Sequence, residues 1–231
     1  MISRIACVAL LAFAASLGAQ APTTAPAPKP PKGPSKAEFR IGGFMVQGER
    51  NSDFYNSVSS SPGSIKGVEV LLRSSGIGLY ARSLSGEFDG PIVISADARV
   101  LLFPPVFTIF AGVGKRGISG VKDKVFDFVI GGVSSTVNIG GSGLRTHISA
   151  GMMIGKDKQA SSANAPKGTG IEAEAAIFYR VPRVPLFFTV GYRTETFTSK
   201  TPTVGPPPGT IEAPEEVRGL RFGAGIQFGG H

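Results

Sequence analysis

Segments in which apolar and other residues alternate with period two recur along the chain from Ala37 to its C-terminal end. Such alternation predicts β-strands, because successive side chains of a strand point to opposite faces of a sheet. We find no convincing amphipathic helix in this part of the sequence. Ten segments fit the pattern, at 37–46, 66–73, 75–82, 92–103, 106–114, 125–132, 144–155, 171–180, 185–195 and 220–228.

The two faces of these segments differ in composition. In the last segment, Leu220 to Phe228, one face carries only Leu, Phe, Ala and Ile, and the other carries Arg, Gly and Gln. The apolar face is free of charge in all ten segments, whereas the other face mixes Gly, Ser and aromatic residues with charges of both signs. A soluble sheet has few glycines in the middle of its strands. The pattern is typical of a transmembrane barrel, where an Arg or Lys at the middle of the lipid-facing side costs about 2–4 kcal/mol.

The links between the segments alternate in length. Long, polar links follow the odd-numbered segments, and short links such as 73–75 and 103–105 follow the even-numbered ones. Bacterial outer-membrane barrels have short periplasmic turns, longer external loops and an even number of strands, which must close because lipid cannot satisfy a free sheet edge. We therefore predict an all-β fold, an antiparallel up-and-down transmembrane β-barrel of about ten strands. The junction between the sixth and seventh segments is the least regular, and eight strands is the alternative.

The first 36 residues predict export. Residues 1–21 carry Arg4, an apolar run and the small residues Ala19 and Ala21, as secretory signal peptides do. Residues 22–36 are rich in Pro, Lys and Ala, which favours an extended and solvated linker. The predicted organisation is a cleaved signal peptide at 1–21, a Pro-rich periplasmic linker at 22–36, and a barrel at 37–231 in the cell outer membrane.

The signal peptide, the alternating strands, Gly-rich segments such as FTVGYR and the final strand FGAGIQF belong together. With them the chain resembles the small bacterial outer-membrane β-barrels of the OmpA/OmpX or opacity-protein type. The resemblance covers about residues 37–228 and rests on architecture. Barrels of this kind usually end in an aromatic residue, whereas here Phe228 is followed by Gly229, Gly230 and His231.

Charges in the predicted lumen lead to the functional hypothesis. Carboxylates and arginines occur there in equal number, with one histidine among them. The predicted network comprises Glu38, Arg40, Glu69, Arg82, Asp97, Arg99, Asp127, Arg145, His147, Glu172, Glu174, Arg180, Arg193, Glu195 and Arg221. Such charges can close a small lumen with hydrogen bonds, and Arg suits bidentate pairing there. We predict a structural or surface-interaction role with a filled lumen; a narrow passive pore for small solutes or ions is the alternative.

A lipid-modifying barrel hydrolase is the third hypothesis. The stretch from Thr146 to Ser149 contains H-x-S, which is similar to the His and Ser spacing of lipid A deacylases. The alternation turns both side chains toward the lumen, away from any acyl chain, and no acidic residue is well spaced to orient the histidine. We therefore predict that the protein is not an enzyme and has no catalytic residue.

Composition narrows the cofactors and partners. The single cysteine, Cys7, lies in the predicted signal peptide, so we predict no disulfide, no thiolate metal site and no cysteine nucleophile. We also expect no other metal site and no cofactor. The net charge of +8 comes mostly from the signal, the linker and the loops, and no motif indicates nucleic acid. We expect a monomer in contact with outer-membrane lipid including lipopolysaccharide, whose phosphates Lys115, Arg116, Lys122 and Lys124 could meet in one external loop. A surface ligand of the external loops is a further hypothesis.

Overall fold

The computed structural model describes residues 37–54, 57–88, 92–103, 106–118, 124–140, 143–157, 167–202 and 210–229. The predicted signal peptide at 1–21 and the predicted linker at 22–36 lie outside the described residues, as do the last two residues, 230–231. Among the residues described, no helix is long and apolar enough to cross a membrane.

Ten β-strands make up almost all of the described chain. They are β1 (Glu38–Phe54), β2 (Ser57–Ser74), β3 (Ile77–Phe88), β4 (Ile92–Leu102), β5 (Thr108–Ile118), β6 (Lys124–Ile139), β7 (Leu144–Asp157), β8 (Lys167–Arg180), β9 (Leu186–Pro202) and β10 (Thr210–Gly229). Each strand pairs with its neighbour in the chain, and β1 pairs with β10 in an antiparallel manner, so the sheet closes. The prediction of a ten-stranded antiparallel up-and-down barrel is confirmed. The eight-stranded alternative is wrong, because β6 and β7 are separate strands of the closed barrel that pair with each other from Phe126 with Asp157 to Ile139 with Leu144.

The connections define two ends of the barrel. Strands β2 and β3 are joined by Ser75 and Gly76, and the φ of 82° at Gly76, the second central residue, is the value that a type II turn places on glycine. The links from β4 to β5, β6 to β7 and β8 to β9 lie at the same end, where Glu38 also pairs with Gly229. We call this the turn end of the barrel and the opposite end the loop end.

The strands reach further toward the loop end than the sequence predicts. Strand β1 continues to Phe54 and β2 begins at Ser57, so most of the stretch 49–63, predicted as a loop, is paired strand. Strands β9 and β10 also extend, and their pairing reaches Pro202 and Thr210. Polar residues on both faces hide such extensions from a search for alternation. Cross-strand pairing still satisfies their backbone N–H and C=O groups.

The strands are staggered around the barrel. Following paired positions once around, from Asp127 on β6 through Lys115 on β5 and onward to Leu144 on β7, leads back to β6 at Ile139, twelve residues further along. A closed sheet with this stagger tilts its strands by about 40° from the barrel axis. Side chains on strands that are distant in the sequence therefore meet at one level of the lumen.

Inward glycines make room for aromatic rings in the lumen. The buried ring of Phe110 lies against Gly132 on the adjacent strand β6. A Cβ atom at Gly132 would come within 2.5 Å of that ring and within 2.2 Å of the Ala150 carbonyl oxygen. The adjacent Gly131 faces outward, where a Cβ atom would meet nothing closer than 3.8 Å. The glycines of the inner face are thus part of the packing of the lumen.

This packing predicts opposite effects of alanine at two adjacent glycines. We expect Gly132→Ala to lower the free energy of unfolding by about 1–3 kcal/mol, because the added methyl group overpacks the lumen. The matched change Gly131→Ala should leave stability unchanged or raise it by up to about 1 kcal/mol. Urea unfolding of the refolded barrel, followed by heat-modifiable gel migration, measures both. Equal losses in the two variants would contradict the assignment of the inner face.

Candidate functional site

The middle of the lumen contains a belt of buried charges. Alternation along β2, β3, β4, β8, β9 and β10 turns four carboxylates and four guanidinium groups inward at this level. The central belt consists of Glu69, Asp97, Glu172, Glu174, Arg82, Arg99, Arg193 and Arg221, and all eight are buried. Because the two signs are equal in number, the belt has no net charge.

Glu172 on β8 is the hub of the central belt. Its carboxylate accepts hydrogen bonds from Arg82 at 2.6 Å, from Arg99 at 2.5 Å and 3.1 Å, and from Arg193 at 3.2 Å. Asp97 accepts a further bond of 2.6 Å from Arg82 and another of 2.6 Å from Arg99. These bonds join β3 and β4 to β8 and β9, so they cross the lumen.

The belt continues toward β10 and β2. Arg193 also donates to Glu174 at 3.3 Å, and Arg221 donates to both oxygens of Glu174 at 2.6 Å. Arg221 then donates to Glu69 at 2.7 Å, and the hydroxyl of Tyr80 donates to the same carboxylate at 3.0 Å. Together with the bonds around Glu172, this forms a continuous network between opposite walls of the barrel.

A second charged group lies on the loop-end side of the belt. Arg116 is hydrogen-bonded to Glu195, and it donates to Glu215 at 3.1 Å. Arg50 donates to Glu215 at 3.3 Å, while Arg193 links this group to the belt through a bond of 2.9 Å to Glu195. Buried apolar side chains occupy one side of the lumen in this region, namely Phe44, Val46, Ile65, Leu84, Phe88 and Val217.

A more open vestibule lies on the turn-end side of the belt. Its described charged side chains are Glu38, Arg40, Arg73, Arg145 and Arg180. Glu38 is hydrogen-bonded to Arg73 and lies 3.6 Å from a nitrogen of Arg145. The guanidinium of Arg40 stacks over the Phe178 ring, 4.7 Å from its centroid. A cavity of about 100 Å³ remains here, which is room for a few water molecules.

His147 and Ser149 both face the vestibule. The Nδ1 atom of His147 lies 3.0 Å from the hydroxyl of Thr136, and its ring meets the Phe178 ring edge-on at 5.9 Å between centroids. Ser149 lies two residues along β7, on the same face. Both side chains line the cavity, so they point away from the outer wall of the barrel.

One predicted network residue is elsewhere. Asp127, which the sequence pattern predicts in the lumen, faces outward, because Phe126 and Phe128 on either side of it are buried inside. The segment around it is apolar at both phases of the alternation, so its pattern did not decide which face was inner. The structure places the other predicted residues inward, at Glu38, Arg40, Glu69, Arg82, Asp97, Arg99, Arg145, His147, Glu172, Glu174, Arg180, Arg193, Glu195 and Arg221.

Among the side chains that the structure describes, four further charged residues that the prediction did not include face the lumen. They are Arg50, Arg73, Arg116 and Glu215. Arg116 had been expected in an external loop beside Lys115, but β5 continues through it and turns it inward, where it is almost fully buried. The sequence does contain a pattern that indicates this position, because Arg116 lies on the same face of a strand as Gly112 and Gly114.

No protein family and no curated protein matches the sequence of this chain. Among solved structures, Neisserial surface protein A matches with a TM-score of 0.38 and 11% identity, covering 82% of this chain and 97% of that one. The translocator domain of the autotransporter NalP from Neisseria meningitidis matches at 0.37 and 12%, with 98% and 96% covered. The beta domain of the Bordetella autotransporter Brka matches at 0.34 and 10%, with 83% and 99% covered. These likenesses are too distant to bear on function.

The hub position predicts a large loss when one charge is removed from it. Replacing Glu172 by Gln should lower the free energy of unfolding by about 3–5 kcal/mol, because it leaves three buried guanidinium groups without their shared carboxylate. The control is Glu49→Gln, since Glu49 lies at the exposed surface 3.4 Å from Arg218. That exposed pair contributes about 1 kcal/mol or less. Urea unfolding of both refolded variants tests this, and similar losses would contradict a special role for Glu172.

Proposed function

We propose that the chain is an outer-membrane β-barrel protein whose lumen is closed by its arginine and carboxylate network, and that it acts structurally or through its surface. In this proposal the turn end faces the periplasm and the loop end faces the exterior. The observation that carries it is the combination of an uncharged apolar band on the outer wall with a continuous charged network inside. Each half of this observation has its own support and its own test.

The outer wall supports a membrane setting. Large apolar side chains are exposed on every side of the barrel, for example Leu79 on β3, Val129 on β6, Val190 on β9 and Ile226 on β10. On β6 the outward face carries no charge from Val129 to Ile139. At a rise of about 3.3 Å per residue and a tilt of about 40°, that stretch is about 25 Å tall. This is the height of the apolar band of outer-membrane barrels, and soluble monomers rarely expose so large an apolar surface.

Charges on the outer wall are confined to its loop-end side. Among the described strand residues, the outward charged side chains are Glu49, Lys66, Glu87, Lys115, Asp127, Lys156, Lys200, Glu212, Glu216 and Arg218. On each strand that carries one of them, the outward face is uncharged from the turn end up to the first of these residues, over the part that the structure describes. Such a boundary is expected where a wall leaves the hydrocarbon core and enters the headgroup region.

The apolar band predicts that the effect of an added charge on barrel stability depends on how deep in the membrane the charge lies. Val190 lies near the middle of the band, so Val190→Arg should destabilise the inserted barrel by about 2–4 kcal/mol. Thr198 is also outward on β9, but it lies beside Lys200 near the loop end. We expect Thr198→Arg to be tolerated. Folding into phosphatidylcholine vesicles, scored by heat-modifiable migration, compares them, and equal yields would refute the membrane boundary.

The interior supports a closed lumen. The central belt crosses the barrel with hydrogen bonds of 2.5–3.3 Å, and its side chains are buried. On the loop-end side of the belt, the lumen is also filled by the charged group around Arg116 and by the apolar cluster around Phe44. The described cavity of about 100 Å³ lies on the turn-end side of the belt. Water entering from the turn end would therefore stop at the belt.

A narrow passive pore is the second candidate, favoured by that cavity in the vestibule. We expect the refolded protein to be electrically silent in a planar bilayer. Removing a bonded pair with Glu174→Ala and Arg221→Ala together should open discrete conductance, since it deletes equal charge of both signs and leaves space in the belt. Steady channels in the unmodified protein would establish the pore instead.

We also propose a role without catalysis. His147 and Ser149 face the vestibule rather than the lipid, and Thr136 is the hydrogen-bond partner of the His147 ring. These positions do not suit a hydrolase that takes an acyl chain from the outer wall. The vestibule is instead a small polar space held between Arg40, Phe178 and the strands β6 and β7.

A further inference from the structure

A row of charged residues crosses six neighbouring strands near the loop end. Each residue of this row is the directly paired partner of the next. In order from β5 to β10 the row consists of Lys115, Asp127, Lys156, Lys167, Lys200 and Glu212. We call it the charged row. It contains four lysines and two acidic residues, so it is basic.

The order of the row leaves its β5–β8 part short of negative charge. Lys156 is paired in register with Asp127 on one side and with Lys167 on the other. Lys200 forms an ion pair with Glu212 at 2.6 Å, but no carboxylate of a described residue lies within 4.0 Å of the ammonium group of Lys115 or Lys156.

A groove lies between these two lysines on the outer wall. It has a volume of about 650 Å³, and Lys115, Asp127 and Lys156 form its loop-end part. The groove is also lined by Val113 on β5, Val129 on β6 and Ile154 on β7. Each of these lies two residues closer to the turn end than the charged residue of the same strand. The groove is therefore charged where the wall leaves the apolar band and apolar where it enters that band.

We propose that this groove binds a phosphate-bearing lipid of the outer leaflet, and the inference rests on the proposed function for the orientation of the barrel. The ammonium groups of Lys115 and Lys156 hold the phosphate, and an acyl chain lies along Val113, Val129 and Ile154. Basic residues at a membrane surface attract anionic lipid, and this matches the charge that the row lacks. The lysines that would meet lipopolysaccharide are thus on the barrel wall, whereas Arg116 is inside.

Asp127 provides a further test, because the proposal predicts the direction in which its replacement changes lipid retention. Its carboxylate lies between the two lysines, where it reduces their mutual repulsion and also repels a phosphate. If the lysines serve a lipid, Asp127→Asn should increase lipid retention. If they serve only to neutralise Asp127, the same change should leave retention unaltered.

The experiment uses full-length mature protein refolded in detergent, with folding verified for every variant by heat-modifiable migration. Native mass spectrometry then measures retention of bis-phosphorylated lipid A and of the same lipid after removal of its phosphates. We expect the double variant Lys115→Gln, Lys156→Gln to retain the phosphorylated lipid about thirtyfold less, given the usual effect of two surface lysines on anionic lipid. The control is Lys66→Gln, an outward lysine on β2, which should retain as much as the unmodified protein.

Three outcomes would overturn the proposal. They are equal loss in the Lys66 control, equal retention of the dephosphorylated lipid, and no gain in Asp127→Asn. All three are measured on a folded barrel, so none of them tests whether the lumen is closed. If the barrel conducts but lipid retention still depends on the two lysines, the closed lumen is refuted and this lipid site is supported. If the barrel is silent and retention does not depend on the lysines, the lipid site is refuted and the closed lumen is supported.

Discussion

The bonds between Glu172 and the guanidinium groups of Arg82, Arg99 and Arg193 are the interaction on which the lumen depends. Moving ions out of water costs more than a single pair returns, so a buried charge is stable only when several partners surround it. Arginine meets this condition because its planar group has five donors in fixed positions. Among the side chains whose burial the structure describes, the inward guanidinium and ammonium groups are accordingly all arginines, and the lysines face outward.

This arrangement reverses the usual order of a soluble domain. Ion pairs stabilise the interior, together with aromatic rings that pack against inward glycines, and the apolar surface lies outside. Closure makes that possible, since every strand has two neighbours and no backbone edge is left unpaired. Packing within the lumen then has to be tight, because a barrel of this size has little interior volume beyond its own side chains.

Much of this could be predicted from the sequence, because alternation with period two fixes both the strands and their faces. The pattern failed where it carried no contrast. Both phases around Asp127 are apolar, so the face was assigned wrongly, and the polar extensions of β1 and β2 looked like loops. The pairing inside the lumen was beyond reach for another reason. Arg99 and Glu172 meet only because ten strands close with one particular stagger, which no local segment encodes.

Charge balance in the lumen follows burial. In the central belt, and in the group around Arg116, acids and arginines are equal in number and almost inaccessible to water. The described part of the vestibule holds four arginines and one glutamate, and Arg40, Arg73 and Arg145 keep 14–17% of their side-chain surface exposed. Water can screen charges where it reaches them, and these arginines are more exposed than those of the belt, so the exposure of the charged side chains falls from the turn end to the belt. In the closed lumen that we propose, the belt is the physical barrier of the barrel.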